Sequence, residues 1–280
     1  MLIKRLITAC VLIPIVIVSL FWLPMYLFVA LMAGICGLAA WEWSQFLHYR
    51  SLKRRYCFTF ICIVINVMFY VIPVYLGSET IIFSSILKLS VVWWLVALVL
   101  VIGYPASSKF WGNNNIIKSL FAYATLVPFY IGMIELRHIN YSISPYYGAS
   151  LLLYVFVLVW ATDSGAYFAG KLLGKRKLAP HVSPGKTIEG LLGGVITSTI
   201  IVLFVDVLNI FDISFNHLII ASILAILSSV LGDLTESMLK REANLKDSGN
   251  LIPGHGGLLD RIDSLTAAIP VFAGSLVFLI

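Results

Sequence analysis

Residues 217–241 read HLIIASILAILSSVLGDLTESMLKR. No ion interrupts the run from Leu218 to Gly232, and then Asp233, Glu236, Lys240 and Arg241 arrive together. An apolar helix of about 20 residues rises roughly 30 Å, enough to cross the hydrocarbon of a bilayer. The ions therefore fall at the inner end of a membrane span. Asp233, Glu236, Ser237 and Lys240 stand at i, i+3, i+4 and i+7, on a single helix face. Glu236 and Lys240 can pair as i,i+4 neighbours. Asp233 has no such local partner, and an ionisable group inside a span is functional by default.

Working outward, the same apolar pattern recurs. Nine spans are expected, at about 6–22, 24–47, 57–76, 86–103, 117–135, 149–170, 188–208, 217–239 and 265–280. The last is short, so it is expected to cross with little tilt or to insert only half-way. Lipid offers no partner for unpaired backbone groups, which requires helices here, since the runs are too continuous for the alternating strands of a barrel. The chain is thus expected to be an all-α polytopic integral membrane protein. Residues 1–148 form an N-terminal region of about five spans, and residues 149–280 a C-terminal catalytic region of four. Lys4 and Arg5 precede the first run, but that run outlasts the 7–15 apolar residues of a signal peptide, so a retained helix is expected.

Composition agrees. The 280 residues are 60% hydrophobic and 11% charged, against about 25% charged in soluble domains. The net charge of +6 could hint at nucleic acid. Its placement argues otherwise. With nine spans and an inside N-terminus, 17 of the 19 basic residues fall in inside segments, and only Lys88 and Arg137 fall outside. That is the positive-inside bias. The basic excess mainly sets orientation, and no nucleic-acid partner is expected. Cys10, Cys36, Cys57 and Cys62 show no metal-ligand spacing and read as small apolar fillers.

The acids are distributed differently. Residues 1–162 contribute 10 − 3 = +7 and residues 163–263 contribute 9 − 10 = −1. Asp206 and Asp212 fit an outer interface. The other eight acids of the second half lie in three inner-side clusters. The first, ATDSGAYFAGKLLGKRKLAPHVSPGKTIEG (161–190), places Asp163 inside an apolar span and ends in a turn-rich loop. Its Gly185-Lys186-Thr187 triplet is no Walker A motif, because Pro180 stands where that motif needs glycine and no strand is expected before it. What remains is a loop offering Lys186, the hydroxyls of Ser183 and Thr187, and backbone amides ahead of a helix, a phosphate-attracting arrangement. A basic loop that merely sets topology is the competing reading. The second cluster surrounds Asp233. The third, KDSGNLIPGHGGLLDRIDS (246–264), joins a glycine-rich loop to Asp260 and Asp263 on one face of the last helix. Two carboxylates at that spacing suit Mg²⁺, which takes one or two carboxylates plus substrate phosphates; they equally suit a helix N-terminus. Together the clusters point to metal-assisted chemistry on a phosphorylated substrate.

Residues 237–263, SMLKREANLKDSGNLIPGHGGLLDRID, resemble the signature of the phosphatidate cytidylyltransferase (CDP-diacylglycerol synthase) family. Gly232-Asp233, Glu236, the Asp163–Gly170 segment and the Ser183-Pro184-x-Lys186-Thr187-x-Glu189-Gly190 stretch are similar to that family's as well, as are Lys4-Arg5 and Glu42-Trp43. Gly185 and Ile188 depart from the lysine and tryptophan frequent there. The resemblance implies condensation of CTP with phosphatidate to CDP-diacylglycerol and pyrophosphate. It implies Mg²⁺ on Asp233 and Asp260, supported by Asp263, with a second cation left open and Asp163 a weaker candidate. Asp233, Asp260, Lys240 and Arg241 are the expected catalytic set. Ser183, Lys186, Thr187, Ser237, Lys246, Asp247, His255, Gly256, Gly257 and Arg261 are expected to bind substrate. A homodimer in a bacterial inner (plasma) membrane, its active site on the cytoplasmic side, is implied too. A CTP-dependent lipid kinase needs the same ions, and a transporter also buries acids. CDP-alcohol phosphotransferases fit less well, because their Asp-Gly-x-x-Ala-Arg motif with downstream paired aspartates is absent.

The 17-to-2 distribution predicts an inside N-terminus and an outside C-terminus. Reporter fusions at the two ends should report opposite sides, and a same-side result would refute nine spans.

Overall fold

The computed structural model describes the backbone of residues 2–49, 51–251 and 256–279, and the side chains of 11–49, 51–251 and 256–277. Its elements run α1 (Leu2–Phe21), α2 (Met25–Trp43), α3 (Leu52–Leu76), α4 (Glu79–Ile102), the single turn α5 (Ser108–Trp111), α6 (Asn115–His138), α7 (Tyr147–Leu173), β1 (Lys177–Ala179), β2 (Ser183–Thr187), α8 (Ile188–Val207), α9 (Phe215–Glu242) and α10 (Leu259–Leu279). Among the described residues, each of nine long helices overlies one expected span. Among the described residues, α2, α3, α4, α6, α7, α8 and α9 are long and apolar enough to cross a bilayer, and Val11–Phe21 is a shorter apolar stretch. The chain is an all-α polytopic membrane protein with one small hairpin.

Burial divides the helices by environment. Two-thirds (67%) of the apolar window of α6 is buried, against 22% for α3. Large side chains such as Val99, Ile102, Ile196 and Val207 are exposed, as surfaces in contact with lipid require. The terminal helix is enclosed by the others. From Ser264 to Leu276 every residue of α10 is buried, and α9, α6, α4, α7 and α2 surround it. It is rich in small residues. Small residues are what close helix packing inside a membrane bundle uses. At Gly232 of α9, an added Cβ would collide with the main-chain oxygen of Asp263, so glycine there lets α9 seat directly on α10.

One hydrophobic core crosses the 148/149 boundary: Phe28, Met32 and Tyr130 pack in the same cluster as Val155, Ala221 and Ile269. Interhelical hydrogen bonds add to it, between Thr162 and Ser198 (2.7 Å) and between Tyr154 and Ser222 (2.6 Å). Such bonds contribute about 1 kcal/mol each in bilayers.

Candidate active site

The charged clusters converge where α7, the hairpin, α9 and the start of α10 meet. The segment expected as a loop, Ser183–Thr187, is instead strand β2, antiparallel to β1 with Lys177 opposite Thr187 and Ala179 opposite Ser183. Pairing follows from the turn at Pro180–Val182, which folds the basic segment back on itself. Thr187 ends the strand and caps α8, its hydroxyl accepting from the Gly190 amide at 3.0 Å. Glu189 accepts from the Lys175 and Arg176 amides and from the Arg176 guanidinium. The helix start and the hairpin entry are thereby tied together.

A cavity of about 400 Å³ opens between these elements, lined by Asp163, Tyr167, Gly185, Lys186, Thr187 and Asp233 among others. Lys186 donates to Asp233 Oδ2 at 2.6 Å, and Ser237 donates to Asp233 Oδ1 at 3.2 Å. Asp163, one helix away on α7, faces the same space. A second knot lies deeper. Lys240 donates to Glu236 Oε2 at 2.7 Å and to Asp260 Oδ1 at 2.6 Å. The other oxygen of Asp260 accepts from the amides of Ser248 and Gly257, both at 2.9 Å. Asp263, one turn further along α10, lines the same small cavity as Glu236 and Gly232.

The remaining expected site residues are more dispersed. Arg241 is exposed and donates to the Val182 carbonyl at 3.2 Å, bracing the hairpin turn. Ser183 opens β2. Lys246 and Asp247 are exposed on the connection between α9 and α10, and Arg261 is exposed on the first turn of α10. Gly256 has φ +86°, a conformation that glycine adopts without strain. His255 lies outside the described residues.

Two residues that the sequence offered no reason to weigh individually belong here. Glu42 of α2, 1% exposed, accepts from the Leu258 and Leu259 amides and from the Ser248 hydroxyl. Ser248 is itself buried and bonded to Asp260. The only sequence signal was the Glu42-Trp43 likeness. An acid at the end of a span otherwise reads as an interfacial charge.

Do these residues suit a divalent cation? Five carboxyl groups, of Asp163, Asp233, Glu236, Asp260 and Asp263, gather here with Lys186 and Lys240. Glu236 Oε1 is buried beside the carboxyl group of Asp263. Among the described residues no three Asp, Glu, His or Cys side chains converge as a complete metal cage. Hard oxygen donors in pairs, with ligand places left for phosphate and water, are the habit of Mg²⁺ sites. The donor set fits.

A helical bundle holding an acid–base knot and an open cavity within its spans is a polytopic membrane protein with a charged internal site. The profile of the cytidylyltransferase family matches residues 3–279. Phosphatidate cytidylyltransferase of Haemophilus influenzae is 47% identical over 282 residues, covering 98% of both chains. That of Pseudomonas aeruginosa is 41% identical over 99% of this chain and 97% of its own. That of Bacillus subtilis is 39% identical over 63% of this chain and 64% of its own. The chain belongs to the cytidylyltransferase family.

Removing the ammonium from the inner knot leaves two carboxylates facing each other with little water. Lys240→Met should therefore destabilise the fold by about 3–5 kcal/mol, the penalty for breaking a buried ion pair. Lys186→Met, at a pair with 27% and 29% side-chain exposure, should lose clearly less. Thermal unfolding in detergent compares the two, and equal losses would contradict the burial argument.

Proposed function

We propose that the chain condenses CTP with phosphatidate, forming CDP-diacylglycerol and releasing pyrophosphate. The observation that carries this reading is identity of 47% and 41%, over nearly the full length, to two phosphatidate cytidylyltransferases. The geometry agrees with it. Beside the charged cavity runs an apolar groove of about 520 Å³, lined by Trp94, Leu98, Leu224, Leu227 and Val271 among others, and Leu178, Leu191 and Val230 belong to both. A charged pocket merging with an apolar groove in a membrane suits an amphiphile: phosphate in the cavity, acyl chain in the groove.

In the reaction a phosphatidate oxygen bonds to the α-phosphorus of CTP while the bond to the β-phosphate oxygen breaks. A phosphate monoester has a second pKa near 6, so the nucleophile is largely ionised at pH 7 without a general base. The demand on the protein is to bring two polyanions together. Lys186 and Arg261, beside the cavity, hold phosphate oxygens. Lys240 stays buried and fixes Asp260 and Glu236. Arg241 and Lys246 form an exposed cationic rim that draws in the triphosphate, and Asp247 and the glycines at 256 and 257 shape the loop beside it. Ser183, Thr187 and Ser237 supply hydroxyls. Asp233, Asp260 and Asp263, with Asp163 a further candidate, would hold Mg²⁺, leaving a second cation open; when bound, the ion neutralises phosphate charge and polarises the reacting phosphoryl group. The protein works as a homodimer in the bacterial inner membrane with this site on the cytoplasmic face, where CTP is found.

Purified chain supplied with labelled CTP, phosphatidate and Mg²⁺ should yield CDP-diacylglycerol and pyrophosphate, and chelation should stop it. Phosphorylated lipid with CDP as the product would overturn the reading. Asp233→Asn should reduce turnover by about 10²-fold or more at unchanged unfolding temperature, and Asp260→Asn should do so together with a lowered unfolding temperature, because it removes the charge that pairs with buried Lys240. Near-normal turnover in either would remove its metal role.

A further inference from the structure

Glu42 stands on α2, over two hundred positions before the loop it touches, and takes part in neither substrate cavity nor ion pair as described above. Its carboxylate accepts three hydrogen bonds, all from neutral donors: Leu258 N at 3.0 Å, Leu259 N at 2.7 Å and Ser248 Oγ at 3.1 Å. Leu259 opens α10, so a side chain from a distant helix caps that helix. Orphan amides and the helix dipole both favour an anion there. The neighbouring Gln45 binds the same segment, its amide donating to the Ser248 carbonyl at 2.6 Å.

The loop is shaped around this carboxylate. A Cβ added at Gly249 or at Gly257 would run into the carboxylate of Glu42. Two glycines of the 246–264 cluster are therefore explained by close approach to Glu42. From there a chain of contacts reaches the site. Ser248, held by Glu42, donates its amide to Asp260 Oδ2, and the Asp260 amide donates to Ser248 Oγ at 3.3 Å. Asp260 Oδ1 takes the Lys240 ammonium, which also serves Glu236.

We infer that Glu42 is a positioning residue: it caps α10 across the bundle and, through Ser248, sets the orientation of the Asp260 carboxylate on which the reaction depends. The inference deepens the cytidylyltransfer reading and rests on it. Amide isosteres expose the role. In Glu42→Gln one oxygen becomes an NH₂ group, which cannot accept, so either the Leu258 or the Leu259 amide loses its acceptor.

The test uses full-length wild type, Glu42→Gln and Ser248→Ala, purified in detergent. Glu42→Gln should lower kcat at least tenfold, with the KM for phosphatidate changed less than threefold, and raise the Mg²⁺ concentration for half-maximal rate at least threefold. Hydrogen exchange at the Leu258 and Leu259 amides should accelerate at least tenfold, while exchange in α7 and α8 stays as in wild type. Ser248→Ala should shift the Mg²⁺ requirement in the same direction by a smaller factor, and it decides the matter should Glu42→Gln not fold. Unchanged kcat and Mg²⁺ requirement in a folded Glu42→Gln, or in Ser248→Ala when that variant stands alone, overturns the inference. So does exchange accelerated throughout the bundle, which marks a general loss of structure. An inactive wild type, by contrast, would overturn the function and leave the exchange result to judge the cap.

Discussion

The carboxylate of Glu42 against the start of α10 is the contact on which the rest of this structure depends. It is buried, it receives three donors, and it joins the second helix of the chain to the last. Helix α10 needs such an anchor because its polar first turn must stay fixed while the remainder is packed on every side by protein. A helix N-terminus leaves amides without partners, and in a membrane bundle water cannot be relied on to satisfy them. Supplying the acceptor from a different helix makes the loop, the cap and Asp260 a single unit.

Around that unit the protein concentrates negative charge where a bilayer tolerates it poorly. Lys240 compensates two carboxylates at once, and Lys186 compensates a third. Asp163 and Asp263 add two further carboxyl groups beside these pairs, so acids outnumber the lysines that meet them.

The long apolar helices were legible because hydropathy over 20 residues is a local property. The i, i+3 placement of Asp260 and Asp263 and the Asp233–Lys240 face were legible for the same reason, since helical periodicity fixes them. The strand at Ser183–Thr187 was not, because five residues with proline and glycine carry little strand preference and depend on pairing with Lys177–Ala179. The burial of α10 was not legible either, because a short run of small residues shows its enclosure only once the neighbouring helices are in place. Glu42 was legible only as a likeness, because its partners are over two hundred positions away.

Sequence by itself thus determined the membrane class, the number of long helices and the residue types that gather in the second half, because each follows from composition and period along one segment. Tertiary structure decided which charges meet. Lys186 could have paired with Glu189 nearby, yet its partner is Asp233; Glu189 instead holds the hairpin entry, and Asp260 shares Lys240 with Glu236 while Glu42 holds its loop. Those choices depend on how helices remote in sequence pack against each other. Inside a membrane that packing rests on close contact between small residues and on satisfying every buried polar group, conditions that only the assembled bundle imposes.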